Sequence, residues 1–170
     1  STTALHLAAF GGNASCVDML VNAGARVYNA GERGRTALHV AADRGEYACM
    51  KRMLVADAPI DVRDSHGCTP LALATTLGEF CCVKYLLDRG ADVHTVSSGA
   101  DGGVGLLHRA AHGHAACLKL ILEGGADVAV RDGSGGTALH HAIAGGHVDG
   151  ANLLMNAGVD INAKTLRGRT

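Results

Sequence analysis

Apolar and polar positions along the chain fall into helical registers that recur. CVDMLV at 16–21, CMKRMLV at 49–55, CVKYLL at 82–87 and CLKLIL at 117–122 each carry apolar residues at helical spacing. One slot stays polar in every copy, holding Asp18, Lys51, Lys84, Lys119 and Asn152. One stripe of each segment therefore faces water and the rest is buried. A shorter Ala-rich apolar segment precedes each of them and ends at Gly12, Gly45, Gly78, Gly113 or Gly146. The pattern predicts pairs of short helices joined by a tight turn. The second helix of each pair stops at Gly24, Gly90, Gly125 or Gly158, where a left-handed cap suits glycine. The second copy departs, with Asp57 in that slot and Pro59 beyond it. An extended piece such as ADV or VDI and a polar, Gly-rich tip follow, which predicts a hairpin-like loop.

The pairs are copies of one unit. Thr3 opens TALHLAA, Thr36 opens TALHVAA, Thr69 opens TPLALAT and Thr137 opens TALHHAI, and the first steps are 33 residues. Gly105 opens an altered copy, GLLHRAA, 36 residues after Thr69 and 32 before Thr137. Thr170 lies 33 residues after Thr137 and would open a sixth. A fixed period of this size signals a stacked solenoid, because one unit cannot bury its apolar face alone. The TPLHLAA-like opening, the GH turn, the LL run and the GADVN-like exit resemble the ankyrin repeat, and the resemblance covers residues 3–169. It implies an all-α solenoid of five stacked helix-turn-helix repeats with β-hairpin-like finger loops. The repeats would span 3–35, 36–68, 69–104, 105–136 and 137–169 of a single 1–170 domain. It also implies a concave groove used for protein binding. Residues 1–35 and 137–169 lack the polar outer faces of capping repeats, so the chain reads as a slice of a longer stack or one with unseen ends.

Composition narrows the function. Of 170 residues, 48 % are apolar and 18 % charged, and the net charge is −1. No basic excess marks a nucleic-acid binder, and two Phe, three Tyr and no Trp leave few platforms for stacking bases. The apolar runs are too short to span a bilayer, and no signal peptide is visible. Asn13-Ala14-Ser15 matches the glycosylation sequon and reads as chance. GSGGTA at 133–138 matches G-x-G-x-x-A, but residue 153, twenty positions on, is Leu rather than an acid, and a repeat finger explains the stretch. No Walker motif, nucleophile elbow, HExxH or isolated carboxylate pair is present, so no catalytic constellation emerges and no enzyme activity, cofactor or small-molecule substrate is expected.

Cysteine and histidine crowd the stretch HRAAHGHAAC at 108–117, which suggests metal ligands until it is placed in register. Cys16, Cys49, Cys82 and Cys117 share one repeat position on the inner side of the second helix. At a helix spacing of roughly 8–10 Å they form neither a disulfide nor a thiolate zinc site. They read as small buried thiols in a reducing compartment, cytoplasm or nucleus. Cys81 faces another way, and Cys68, on a finger, reads as the most exposed thiol. His6, His39, His108 and His140 are the histidines of the opening motif, and the resemblance implies that they tie adjacent repeats together. His114 and His147 belong to the GH turn. His66, His94, His112 and His141 are left over. A metal site from His108, His112 and His141 is set aside, and no metal is expected.

Binding positions follow from the resemblance: finger tips and the exposed face of each first helix. They are Glu32, Arg33 and Arg35; Asp43 and Arg44; Arg63, Ser65 and His66; Thr76 and Leu77; Asp101; Arg109 and His112; Arg131 and Ser134; and His141. With Arg109 set aside, the wider groove set, which adds the tip residues Asp64, Asp132, Lys164, Arg167 and Arg169, holds eight basic and five acidic residues, whereas the remainder of the chain is acidic. An acidic or phosphorylated protein segment is the expected ligand, with arginines as anchors. The finger at 94–104 is three residues longer than its siblings, and Arg109 takes a slot held by Leu7, Val40 and Leu73, with His141 next in line. These departures mark a partner-specific patch at the long finger, Arg109, His112 and His141. The chain therefore reads as a non-enzymatic protein-interaction module. The alternative is the targeting domain of a larger enzyme, such as a ubiquitin-ligase receptor or an acyltransferase.

Overall fold

A computed structural model describes residues 2–97 and 103–166. Each repeat places two α-helices: α1 (Ala4–Phe10) with α2 (Ala14–Asn22), α3 (Ala37–Asp43) with α4 (Tyr47–Val55), and α5 (Pro70–Leu77) with α6 (Phe80–Asp88). The series continues with α7 (Leu106–Ala110) and α8 (Ala115–Glu123), then α9 (Ala138–Ala144) and α10 (Val148–Asn156). First helices pack side by side in chain order, and second helices form a parallel row behind them. The result is the all-α solenoid that the periodicity predicts. No described helix is long and apolar enough to cross a membrane.

The composition of each row explains its packing. First helices meet through Ala9, Ala41, Ala42, Ala74, Ala110, Ala111 and Ala142, all at most 1 % exposed. Methyl side chains let these backbones approach closely. The second row contributes the bulk: Met50, Met53, Val83, Leu86, Leu118, Ile121 and Leu154 are fully buried. Truncating one of them to Ala leaves a cavity and costs about 2–5 kcal/mol. Cys49, Cys82 and Cys117 lie buried in this row as the register predicts, whereas Cys16 is half-buried because α2 has a second-row neighbour, α4, on one side only. Burial pushes the Cys82 thiol up to about 12, helped by the negative charge of Glu79.

Thr and His at the repeat opening join local to tertiary structure. His6, His39 and His140 accept the backbone N–H of Thr3, Thr36 and Thr137 at Nδ1, over 3.1–3.2 Å. His108 does the same for Gly105 at 3.3 Å. The opposite nitrogen, Nε2, donates to a carbonyl one repeat on: His6 to Arg35 at 2.9 Å, His39 to Cys68 at 3.1 Å and His108 to Gly136 at 3.2 Å. One neutral ring thus caps its own helix and holds the next finger, the tie the resemblance implies. Burial lowers the pKa of His39 and His108, which keeps them neutral. The third repeat has Ala72 in this slot, and Thr69 Oγ1 accepts the Ala72 N–H at 3.2 Å instead.

The glycine caps fall where the sequence puts them, with φ between +84° and +87° at Gly24, Gly90, Gly125 and Gly158. Asp57 adopts the same hand, φ +59°, without that freedom. Asn13 Oδ1 accepts the Cys16 N–H at 3.1 Å, so the residue of the sequon is the N-cap of α2. The longest finger carries a two-stranded ladder, β1 (Val96–Ser97) against β2 (Val104–Gly105), with Val96 opposite Gly105.

Candidate functional site

The outer faces of the first helices and the fingers enclose a concave cleft of about 1020 Å³. It gathers Arg35, His66, Thr76, Arg109, His112, Ser134 and His141 from the predicted set. The long finger contributes Ser97 and Val104, and Leu73 adds apolar wall. Glu32, Arg33 and Arg35 line a second hollow of about 270 Å³ with Leu7 and Phe10. Asp43, Arg44, Arg63, Ser65, Leu77 and Arg131 line neither hollow. Asp101, together with Arg167 and Arg169, lies outside the described residues.

The arginines differ in what they already hold. Arg35 Nη1 bonds Asp43 at 3.1 Å and its Nε bonds Asp64 at 3.4 Å, so its charge is met twice within the chain. Asp64, a finger residue that the sequence places at an exposed tip, has a side chain only 1 % exposed. Desolvation would raise its pKa, but hydrogen bonds from the backbone N–H groups of Cys68 and His66 and from the Arg35 side chain outweigh it and hold the carboxyl below its ordinary value. Arg63 clasps neighbouring fingers by donating to the carbonyls of Gly67 at 3.2 Å and Val96 at 2.8 Å. Arg131 does the same to Gly135 and Lys164, both at 2.9 Å. Arg44 stacks on the Phe10 ring at 4.4 Å.

Arg109 is different. Its Nη1 donates to Thr76 Oγ1 at 2.9 Å, and its Nη2 to Ser97 Oγ at 2.8 Å and toward Cys68 Sγ at 3.5 Å. All three acceptors are neutral, and no carboxylate among the described residues pairs with it. The guanidinium closes over Cys68, which is 8 % exposed. Cys68 is therefore not the exposed thiol that its finger position suggests: Arg109, two repeats on, covers it, and Cys81 is exposed instead. Ser97 was missed as a site residue, because a serine in a long loop carries no signal until the hairpin aims it at Arg109. The register did single out Arg109, as an arginine in a leucine slot.

A polar cluster closes the other end of the cleft. His141 Nε2 donates to Asp132 Oδ2 at 2.7 Å, and His141 Nδ1 lies 3.2 Å from His112 Nε2. The His141 ring makes edge contacts with His108 and His112, at centroid separations of 5.3 and 5.1 Å. Desolvation alone would raise the Asp132 pKa. Hydrogen bonds from His141, from the Ser134 side chain and from the backbone of Gly136 and Ser134 outweigh it and hold the carboxyl far below its usual range. Burial, and then the nearby His141, His147 and His114, lower the pKa of His112. The structure thus brings Arg109, His112 and His141 to one cleft.

Comparison with known proteins agrees with this architecture. No curated protein matches the chain. The family model for ankyrin repeats, in three copies, matches residues 5–97 and 96–165. With its helix pairs, its Thr–His ties and that match over most of its length, the chain belongs to the ankyrin repeat family.

Proposed function

We propose that the concave cleft docks an acidic or phosphorylated segment of a partner protein, with Arg109 as its charged anchor. Ankyrin repeats are protein–protein interaction modules, and the family is typically non-enzymatic. The observation that carries the finer reading is the Arg109 guanidinium, held in the cleft by hydroxyl and thiol acceptors with no carboxylate against it. Its Nε is buried with no acceptor in reach. Preordered and uncompensated, this cation gains from an incoming carboxylate or phosphate without first breaking an internal ion pair. Arg35, by contrast, would have to leave Asp43 and Asp64.

An array of acidic, phosphorylated and neutral peptides, probed with the folded chain, tests the reading. Hits are then titrated by fluorescence polarisation against wild type and Arg109→Met. The anionic peptides should bind, and Arg109→Met should weaken them at least thirtyfold, about 2 kcal/mol. Equal binding of neutral peptides, or a loss below threefold in a variant whose circular dichroism is unchanged, would overturn it.

A further inference from the structure

The histidines around Asp132 are held by different partners, and that difference separates scaffold from site. His108, Asp132 and His141 offer ligand atoms within 4.8 Å of one another. His108, however, has no nitrogen to give: Nδ1 accepts the Gly105 N–H and Nε2 donates to the Gly136 carbonyl. Drawing it onto a metal would uncouple two repeats. Asp132 is also committed. Its Oδ1 accepts from the Ser134 N–H at 2.9 Å, the Ser134 hydroxyl at 2.7 Å and the Gly136 N–H at 2.8 Å, and its Oδ2 takes His141 Nε2 at 2.7 Å.

That carboxylate sets the chemistry of His141. An ionised Asp132 keeps the proton on Nε2, so Nδ1 of the neutral ring presents its lone pair away from Asp132. The lone pair faces His112 Nε2 at 3.2 Å. Two imidazole nitrogens, each about 2.0–2.1 Å from a tetrahedral zinc ion, lie roughly 3.3 Å apart. The two side chains therefore already stand at chelating distance, and the exposed His112 leaves the site open on the cleft side. The pair arises at one junction only. The slot of His141 holds Leu7, Val40, Leu73 and Arg109 elsewhere, and that of His112 holds Phe10, Asp43, Thr76 and Ala144.

We propose that His112 Nε2 and His141 Nδ1 form a chelating site for a late first-row divalent cation of the zinc class, with Asp132 as the positioning residue. Paired neutral imidazoles select zinc, copper or nickel over magnesium or calcium, which prefer oxygen. A ligating histidine that donates its other N–H to a carboxylate is the usual second layer of such sites. Without metal, His112 Nε2–H donates to His141 Nδ1. When the cation enters, that proton leaves Nε2, His112 carries its proton on Nδ1, and both nitrogens turn their lone pairs to the ion. The remaining coordination positions face the cleft, open to water or to a side chain of a docked protein.

Zn²⁺ is the probe, titrated calorimetrically in a non-coordinating solution at pH 7.5. A Cys81→Ser background removes the exposed thiol. Wild type should take up one equivalent. His112→Ala and His141→Ala should each weaken that site at least tenfold, while Asp88→Asn, at an exposed acid of α6 away from the cleft, leaves it unchanged. Asp132→Asn keeps an oxygen for the finger N–H groups, can no longer fix the His141 tautomer, and should cost roughly 10–100-fold. Histidine ring ¹⁵N spectra should shift at His112 and His141. Absence of binding up to millimolar Zn²⁺, unchanged affinity in His112→Ala, or shifts at His114 and His147 instead would overturn the site. Unchanged affinity in Asp132→Asn alone would overturn its positioning role.

Discussion

His39→Leu tests whether one ring does two structural jobs. Buried His39 accepts the Thr36 N–H at 3.1 Å and donates to the Cys68 carbonyl at 3.1 Å. Leucine fills a similar volume and meets neither group. Each buried backbone group left unpaired costs about 1–3 kcal/mol. The added apolar surface offsets about 1 kcal/mol of that. The net loss should be about 3 kcal/mol, large for a mutation that removes no volume. Urea unfolding followed by far-ultraviolet circular dichroism at pH 7.5 reads it as a fall in midpoint at constant slope. His66→Leu is the control, since His66 is exposed and spans no repeat junction, and should move stability by under about 0.5 kcal/mol. A His39→Leu loss below about 1 kcal/mol, or one equal to the control, would refute the account of the tie.

Stability should fall on acidification in two stages. The folded pKa values of His39 and His108 are lowered by burial, so below about pH 6.5 the unfolded chain binds protons that the folded one refuses. Their contribution is complete above that pH and is lost as pH falls, and His39→Leu should flatten this stage in urea midpoints taken from pH 7.5 to 5. Asp64 and Asp132 have folded values lowered by hydrogen bonds, so their contribution is complete above about pH 4 and is lost below it. Asp57→Gly should raise stability by about 0.5–1 kcal/mol, since it relieves a left-handed residue but frees the unfolded chain; a lower urea midpoint would contradict that. A thiol reagent followed by peptide mapping should label Cys81 first and Cys16 more slowly, with Cys49, Cys68, Cys82 and Cys117 reacting only on unfolding. Labelling of Cys68 at the rate of Cys81 would contradict the cover provided by Arg109.

The repeat unit was legible because its physics is local. The Thr that caps a helix, the apolar spacing of LL and the glycine of a left-handed cap all act within a few residues of themselves, so periodicity alone located the helix pairs of the described residues. The departures were legible for the same reason: Arg109 in a leucine slot and Asp57 in a glycine slot stand out against their copies. The partners of the groove residues were not legible. Asp64 looked like a tip residue in the chain, yet Arg35 from the preceding finger and the N–H groups of its own turn bury it. Cys68 looked exposed until Arg109, 41 residues on, closed over it.

What the sequence determined by itself was therefore the scaffold: helix pairs, caps, the buried faces and the family. The tertiary structure alone decided which charges are used up within the stack and which remain for a ligand. Repeats bring residues roughly 29–33 positions apart into contact, and at that separation a side chain's partner depends on stacking geometry that no local pattern records. That geometry met Arg35 with two carboxylates, left Arg109 without one, and set His112 against His141 at 3.2 Å.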